Sequence, residues 1–156
     1  MQTIMIQSEQ EMIKLGIVLG EQLKAGDLLF LFGDLGAGKT TFTKGIAIGM
    51  GVGEMVNSPT FQLKKTYHGR ETLNHLDLYR LNSLIELEII EPDELVEDGV
   101  TVVEWGKLLL ERLQTDYLEV RFEVDSESNS RSICFRPYGD RYRHLVEELN
   151  YADFGA

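Results

Sequence analysis

The chain has 156 residues, enough for one domain with a real core over 1–156, and 43% of them are apolar, as in a soluble globular protein. The 26 acidic and 15 basic residues leave a net charge of −11, which argues against direct nucleic-acid binding, and no run approaches the ~18 apolar residues of a membrane span. Cys134 is the only cysteine, which excludes an intrachain disulfide, and the N-terminal stretch lacks the basic and apolar regions of a secretory signal, so a cytoplasmic setting is expected.

In chain order, TIMIQ reads as a short edge strand. Ser8 followed by Glu11 is the capping-box pattern, and Met12, Leu15, Leu19 and Leu23 recur at helical spacing, with Gly26 placed to stop the helix. DLLFLF, residues 27–32, is apolar without alternation, as expected of a parallel strand covered on both faces. Thr40 to Met50 reads as a helix with Phe42, Ile46 and Met50 on one side, ended by GMGVG. A loop around NSPTF precedes two strands joined near HGR, a hairpin in which Leu73, His75, Asp77 and Tyr79 face one way and Asn74, Leu76 and Leu78 the other. Ser83 with Glu86 opens a short helix that Pro92 ends. VTVVEW is a buried strand terminating in Glu104, and WGKLLLERL a short helix whose leucines serve the core. YLEVRFEV and SRSICFRPYG alternate as two late strands around DSESNS, and RYRHLVEEL closes as a helix.

The sequence Gly33-x-x-x-x-Gly38-Lys39-Thr40, set between a buried strand and a helix, matches the phosphate-binding loop in full. Its glycines let the backbone curl so that N–H groups converge, and the following helix adds its positive end. Gly36, Ala37, Gly38 and Thr41 then belong to the cradle, Lys39 reaches the β- and γ-phosphates, and the Thr40 hydroxyl meets Mg²⁺. Mg²⁺ commonly takes one or two carboxylates besides, and two stand at predicted strand ends: Glu104 and Asp77. Each also has a plainer reading, Glu104 as a solvent-facing strand end and Asp77 as a salt bridge to Arg80. Thr60, with Ser58 beside it in NSPTF, suits a switch that senses the γ-phosphate, although an ordinary proline turn fits as well. Trp105 and His75 read more readily as packing and as a hydrogen-bonded strand residue than as ligands.

Taken together, GDLGAGKTT, SPTF, HLDLYRL and VEWG, in this order and spacing, closely resemble the small bacterial ATPases of tRNA threonylcarbamoyladenosine biosynthesis, the TsaE or YjeE family. The likeness spans residues 1–110 and thins after 106, where Gly106 stands at a position many relatives fill with proline. The resemblance implies a three-layer P-loop NTPase α/β fold, with a mainly parallel central sheet, an antiparallel hairpin and short C-terminal strands. It further implies ATP and Mg²⁺ as cofactors, slow hydrolysis alone, and stimulation by the TsaD–TsaB pair, which modifies adenosine 37 of tRNAs reading codons that begin with A. By the same resemblance Lys39 holds phosphate, Thr40 and Glu104 hold the metal, Asp77 serves turnover, Thr60 switches, and Glu9 lies near the adenine. Contact with tRNA would be indirect, through the partners.

Three other functions compete. A small-molecule kinase needs cations on a closing lid, and between Glu104 and the late strands only Lys107, Arg112 and Arg121 offer themselves. A GTP-type switch lacks support because no NKxD motif is present. A nucleotide-dependent interaction module would bind without using hydrolysis. The scarcity of cations besides Lys39 also fits a site that turns over slowly unaided.

Overall fold

The computed structural model describes residues 2–34, 36–56, 64–78, 98–128 and 130–150. Its elements are β1 (Gln2–Ile6), α1 (Glu9–Gln22), β2 (Leu28–Phe32), α2 (Lys39–Gly49), β3 (Lys64–His68), β4 (Thr72–Asp77), β5 (Val100–Glu104), α3 (Lys107–Arg112), β6 (Tyr117–Val124), β7 (Arg131–Tyr138) and α4 (Asp140–Asn150). The strands form one seven-stranded sheet ordered β1-β7-β6-β2-β5-β4-β3. Its centre is parallel, β6-β2-β5-β4, and antiparallel pairs close both edges. β2, the loop strand, therefore lies inside the sheet, with β5 on one side and β6 on the other. Its LLFLF run has no polar face because both faces are covered.

Alternate β2 residues serve two cores. Leu29 and Leu31 join Leu73, Val100 and Val102 under α1, α2 and α4, while Leu28 and Phe30 join Leu76, Val103 and Leu109 of α3 on the opposite face. Helix, sheet and helix thus stack as three layers, the architecture of a P-loop NTPase.

The start of α1 follows its capping signal with one change. Ser8 Oγ accepts the Glu11 amide at 3.1 Å, but the Glu11 carboxylate accepts from Gln7 N–H at 2.7 Å, one residue before the cap. The end differs from expectation. α1 stops at Gln22 with Leu23 extended, ahead of Gly26, whose N–H bonds Gly99 O in the turn into β2. Arg70, from the β3–β4 turn, donates to Gly20 O and Leu23 O at 3.0 Å each. A distant guanidinium therefore adds a donor at the helix end, where Gly20 O also accepts the Leu23 amide at 3.4 Å.

α1 and α2 meet almost backbone to backbone. A Cβ placed at Gly45 would lie 2.4 Å from Ile13 O and 2.9 Å from Gly16 Cα, and one at Gly20 would lie 2.3 Å from Ile46 O. Gly45→Ala is accordingly expected to destabilise the protein by roughly 1–3 kcal/mol through overpacking, although alanine in an open helix gains about 1 kcal/mol over glycine. Gly53→Ala, where an added methyl meets nothing within 4 Å, is the control. Urea midpoints of the two variants check the difference.

At the other end of the sheet α4 fastens the start of β2. Tyr142 accepts the Leu28 N–H at 2.8 Å, and Arg141 pairs with Asp27 at 2.8 Å. Burial pushes the Tyr142 phenol up to about 12. No described helix is long and apolar enough to cross a membrane.

Candidate functional site

The site lies where β2 gives way to α2. Gly38 takes φ 111° as the N-cap of α2 and supplies no side-chain cap, so the amides opening the helix have no side-chain acceptor of their own at the cap. No acidic residue sits in the first turn to offset that positive end. Gly36, at φ 80°, has nothing within 4 Å of a would-be Cβ, so the crown of the loop is open. The Ala37 amide bonds Asp34 O at 3.1 Å and the Thr43 hydroxyl bonds Lys39 O at 2.8 Å, which pin the loop from both ends.

A cavity of about 370 Å³ opens above this loop. Gly36, Gly38, Lys39, Thr40 and Thr41 form its floor, Asp77, Glu104 and Trp105 one wall, and Ser8, Glu9, Met12 and Arg131 the other. Strand register explains the carboxylate wall. Asp77 stands opposite Glu104 across the parallel β4–β5 pair, and Glu104 stands opposite Leu31 of β2. Both acids thus reach the C-terminal end of the sheet on the face that carries α2, the end at which α/β folds place ligands.

Lys39 is buried, and its ammonium donates to Gly33 O at 2.7 Å while lying 4.1 Å from the centre of the Trp105 ring. Burial pulls its pKa below the usual lysine range, against the opposing pull of Glu104, Asp77 and Asp34. Glu104 is buried as well, with Oε2 2.5 Å from Nε2 of a fully buried His75. The imidazole Nε2–H is the donor and the carboxylate the acceptor. Among the described residues, His75 Nδ1 is the buried side-chain atom without a hydrogen-bond partner.

Of the residues expected at the site, Glu9, Gly36, Gly38, Lys39, Thr40, Thr41, Asp77 and Glu104 line this cavity together. Ala37 is buried in the loop behind them. Ser58 and Thr60 lie outside the described residues, as do Arg80 and the Ser83–Glu86 cap. Trp105 differs from expectation. It is a wall of the cavity, held at φ 57°, a left-handed conformation that disfavours a large side chain and concentrates at functional sites. Its position directly after Glu104 was the available signal.

Arg131 was missed. It belongs to β7, yet its guanidinium reaches Gly36 O at 3.3 Å, so a second cation besides Lys39 stands at the loop. Met12, expected only in the core, has its methyl end against Gly38. Lys107 and Arg121, considered as lid cations, do not line the cavity, and Arg121 is engaged by Glu119 at 3.0 Å.

The residues present suit a magnesium nucleotide. The described residues hold no cluster of three or more His, Cys, Asp or Glu side chains able to cage a metal unaided. Mg²⁺ characteristically uses one or two protein oxygens and completes its shell with phosphate and water. Thr40 and Glu104 provide such a partial set beside the loop.

The family model described as threonylcarbamoyl adenosine biosynthesis protein TsaE matches residues 6–133. The tRNA threonylcarbamoyladenosine biosynthesis protein TsaE of Bacillus subtilis strain 168 is 45% identical over 132 residues, 83% of this chain and 82% of that protein. The protein of the same name from Mycobacterium bovis is 46% identical, covering 78% of this chain and 79% of its own length. Among solved structures, the crystal structure of Bacillus subtilis YdiB superposes with TM-score 0.78 at 35% identity, covering 96% of this chain and 93% of that one. The family match runs through Arg131, beyond the residues that carried the sequence resemblance.

Proposed function

Since the chain belongs to the TsaE family of threonylcarbamoyl adenosine biosynthesis, we propose that it is a Mg²⁺-dependent ATPase whose hydrolysis resets the TsaD–TsaB complex during threonylcarbamoylation of adenosine 37 in tRNA. The observation that carries the ATPase reading is the meeting of Lys39, Thr40, Asp77 and Glu104 around one cavity at the phosphate loop. Lys39 and the amides opening α2 offset phosphate charge. Thr40 and Glu104 would hold the metal, which would supply positive charge against that of the phosphates. Asp77 sits across the strand pair from Glu104, positioned to orient a water for attack.

The surface supports indirect contact with tRNA. The densest basic stretch, residues 136–144, is locally neutralised: Arg141 pairs with Asp27, Arg143 with Asp140, and Arg136 approaches Glu119 at 3.8 Å. Little positive charge is left for a phosphate backbone there. In the cytoplasm, the expected setting, a partner would hold the nucleic acid.

Reconstitution tests the proposal. With TsaD–TsaB, tRNA, threonylcarbamoyl-adenylate and ATP, multiple turnovers of tRNA modification are expected only when this chain is present. Its ATPase rate is expected to rise on adding TsaD–TsaB. Equal rates with and without the pair, or repeated turnover without this chain, would overturn it.

A further inference from the structure

We infer that His75 is a positioning residue that holds the Glu104 carboxylate toward the phosphate loop; the inference rests on the proposed role of Glu104 as a metal ligand. His75 extends from β4 on the face that carries Asp77, two residues before it, and is paired in register with Val102. From there the imidazole reaches diagonally to Glu104, giving the 2.5 Å contact between Nε2 and Oε2. A glutamate at a strand end has three side-chain torsions to search, and the ring's hydrogen bond removes most of that freedom. A second-shell donor of this kind fixes the orientation of a ligating carboxylate.

The identity of the donor matters. An imidazole N–H offers the carboxylate one directional hydrogen bond from a rigid ring, which orients it. Lys39, a cation lining the same cavity, is itself engaged with Gly33 O and the Trp105 ring. The bare Nδ1 points the same way. Among the described residues Nδ1 makes no hydrogen bond, so the contact with Glu104 is the one that holds the buried ring's polar edge. Neighbouring Asn74, by contrast, uses its side chain wholly in structure, donating to Asp98 O and accepting from the Thr66 hydroxyl.

His75→Gln and His75→Asn separate the roles, because both carry an amide donor and only glutamine approaches the reach of the ring. Calorimetric titration of Mg²⁺ into each protein with ATP is expected to show half-saturation raised about 10–100-fold in the asparagine variant and largely restored in the glutamine variant. ATP binding in EDTA is expected to stay within about twofold of wild type for both, and urea midpoints verify that each is folded. In nucleotide-free wild type, proton NMR is expected to show a downfield ring N–H that Glu104→Ala removes. Mg²⁺ half-saturation unchanged in both variants would overturn the positioning role while leaving the ATPase reading intact. A wild type that shows the ring proton but no Mg²⁺-dependent ATP binding would remove the ATPase reading, and the inference with it.

Discussion

Lys39→Ala is expected to weaken ATP binding by roughly 10–150-fold, the equivalent of a charged hydrogen bond of about 1.5–3 kcal/mol. Lysine 39 is well placed for so large a share. It opens α2, where the helix's positive end and the loop amides converge, and it is buried. Its present partners, the Gly33 carbonyl and the Trp105 ring, are neutral groups that an arriving polyphosphate can outcompete. The pH dependence follows from its environment. Burial lowers the lysine's pKa in the free protein, and bound phosphate favours the charged form. Binding therefore takes up protons in the window between the two pKa values, and affinity falls as pH rises through it, beginning below the ordinary lysine value of 10.5. Calorimetry across alkaline pH checks both statements. In Lys39→Ala that fall should vanish. Loss of the Trp105 contact gives a second readout, since removing the ammonium 4.1 Å from the ring alters indole emission even without nucleotide.

The loop and its two carboxylates were legible because each piece is local. An apolar strand, a glycine-lysine-threonine turn and a helix lie in one continuous stretch, and the strands ending in Asp77 and Glu104 show as an alternating and an apolar run. What remained hidden depends on distance along the chain. Arg131 meets Gly36 only because β7 joins the sheet beside β6, and no residue near Arg131 hints at it. The union of His75 with Glu104 needs β4 and β5 to be parallel neighbours in a particular register. Trp105 illustrates a different limit: composition assigns an isolated tryptophan to packing, and only the backbone turn at φ 57° swings it over Lys39. The helix-facing glycines went unread, although Gly16 and Gly20, and again Gly45 and Gly49, stand four residues apart. Spacing alone did not say that two such stripes face each other.

Asp77→Asn is expected to cut ATP turnover in the reconstituted system by about 10²–10⁴-fold, the range attributed to a positioned acid or base, while Mg²⁺–ATP affinity changes only a few-fold. The substitution keeps volume and much of the hydrogen-bonding capacity and removes the charge. Asp77 and Glu104 share a wall of the cavity but differ in setting. Glu104 is buried and held by His75, whereas Asp77 is half-buried at the last residue of β4. A buried carboxylate held by an imidazole suits a fixed ligand; a half-buried one suits a group that must meet water. Removing the Asp77 charge also withdraws one of the pulls that keep Lys39 protonated, so a modest loss of affinity accompanies the loss of rate. Single-turnover kinetics divide the two, since a chemical defect slows phosphate formation from pre-bound ATP and a binding defect does not. Full turnover by Asp77→Asn would remove the aspartate from the mechanism and leave Glu104 as the carboxylate to test for orienting water.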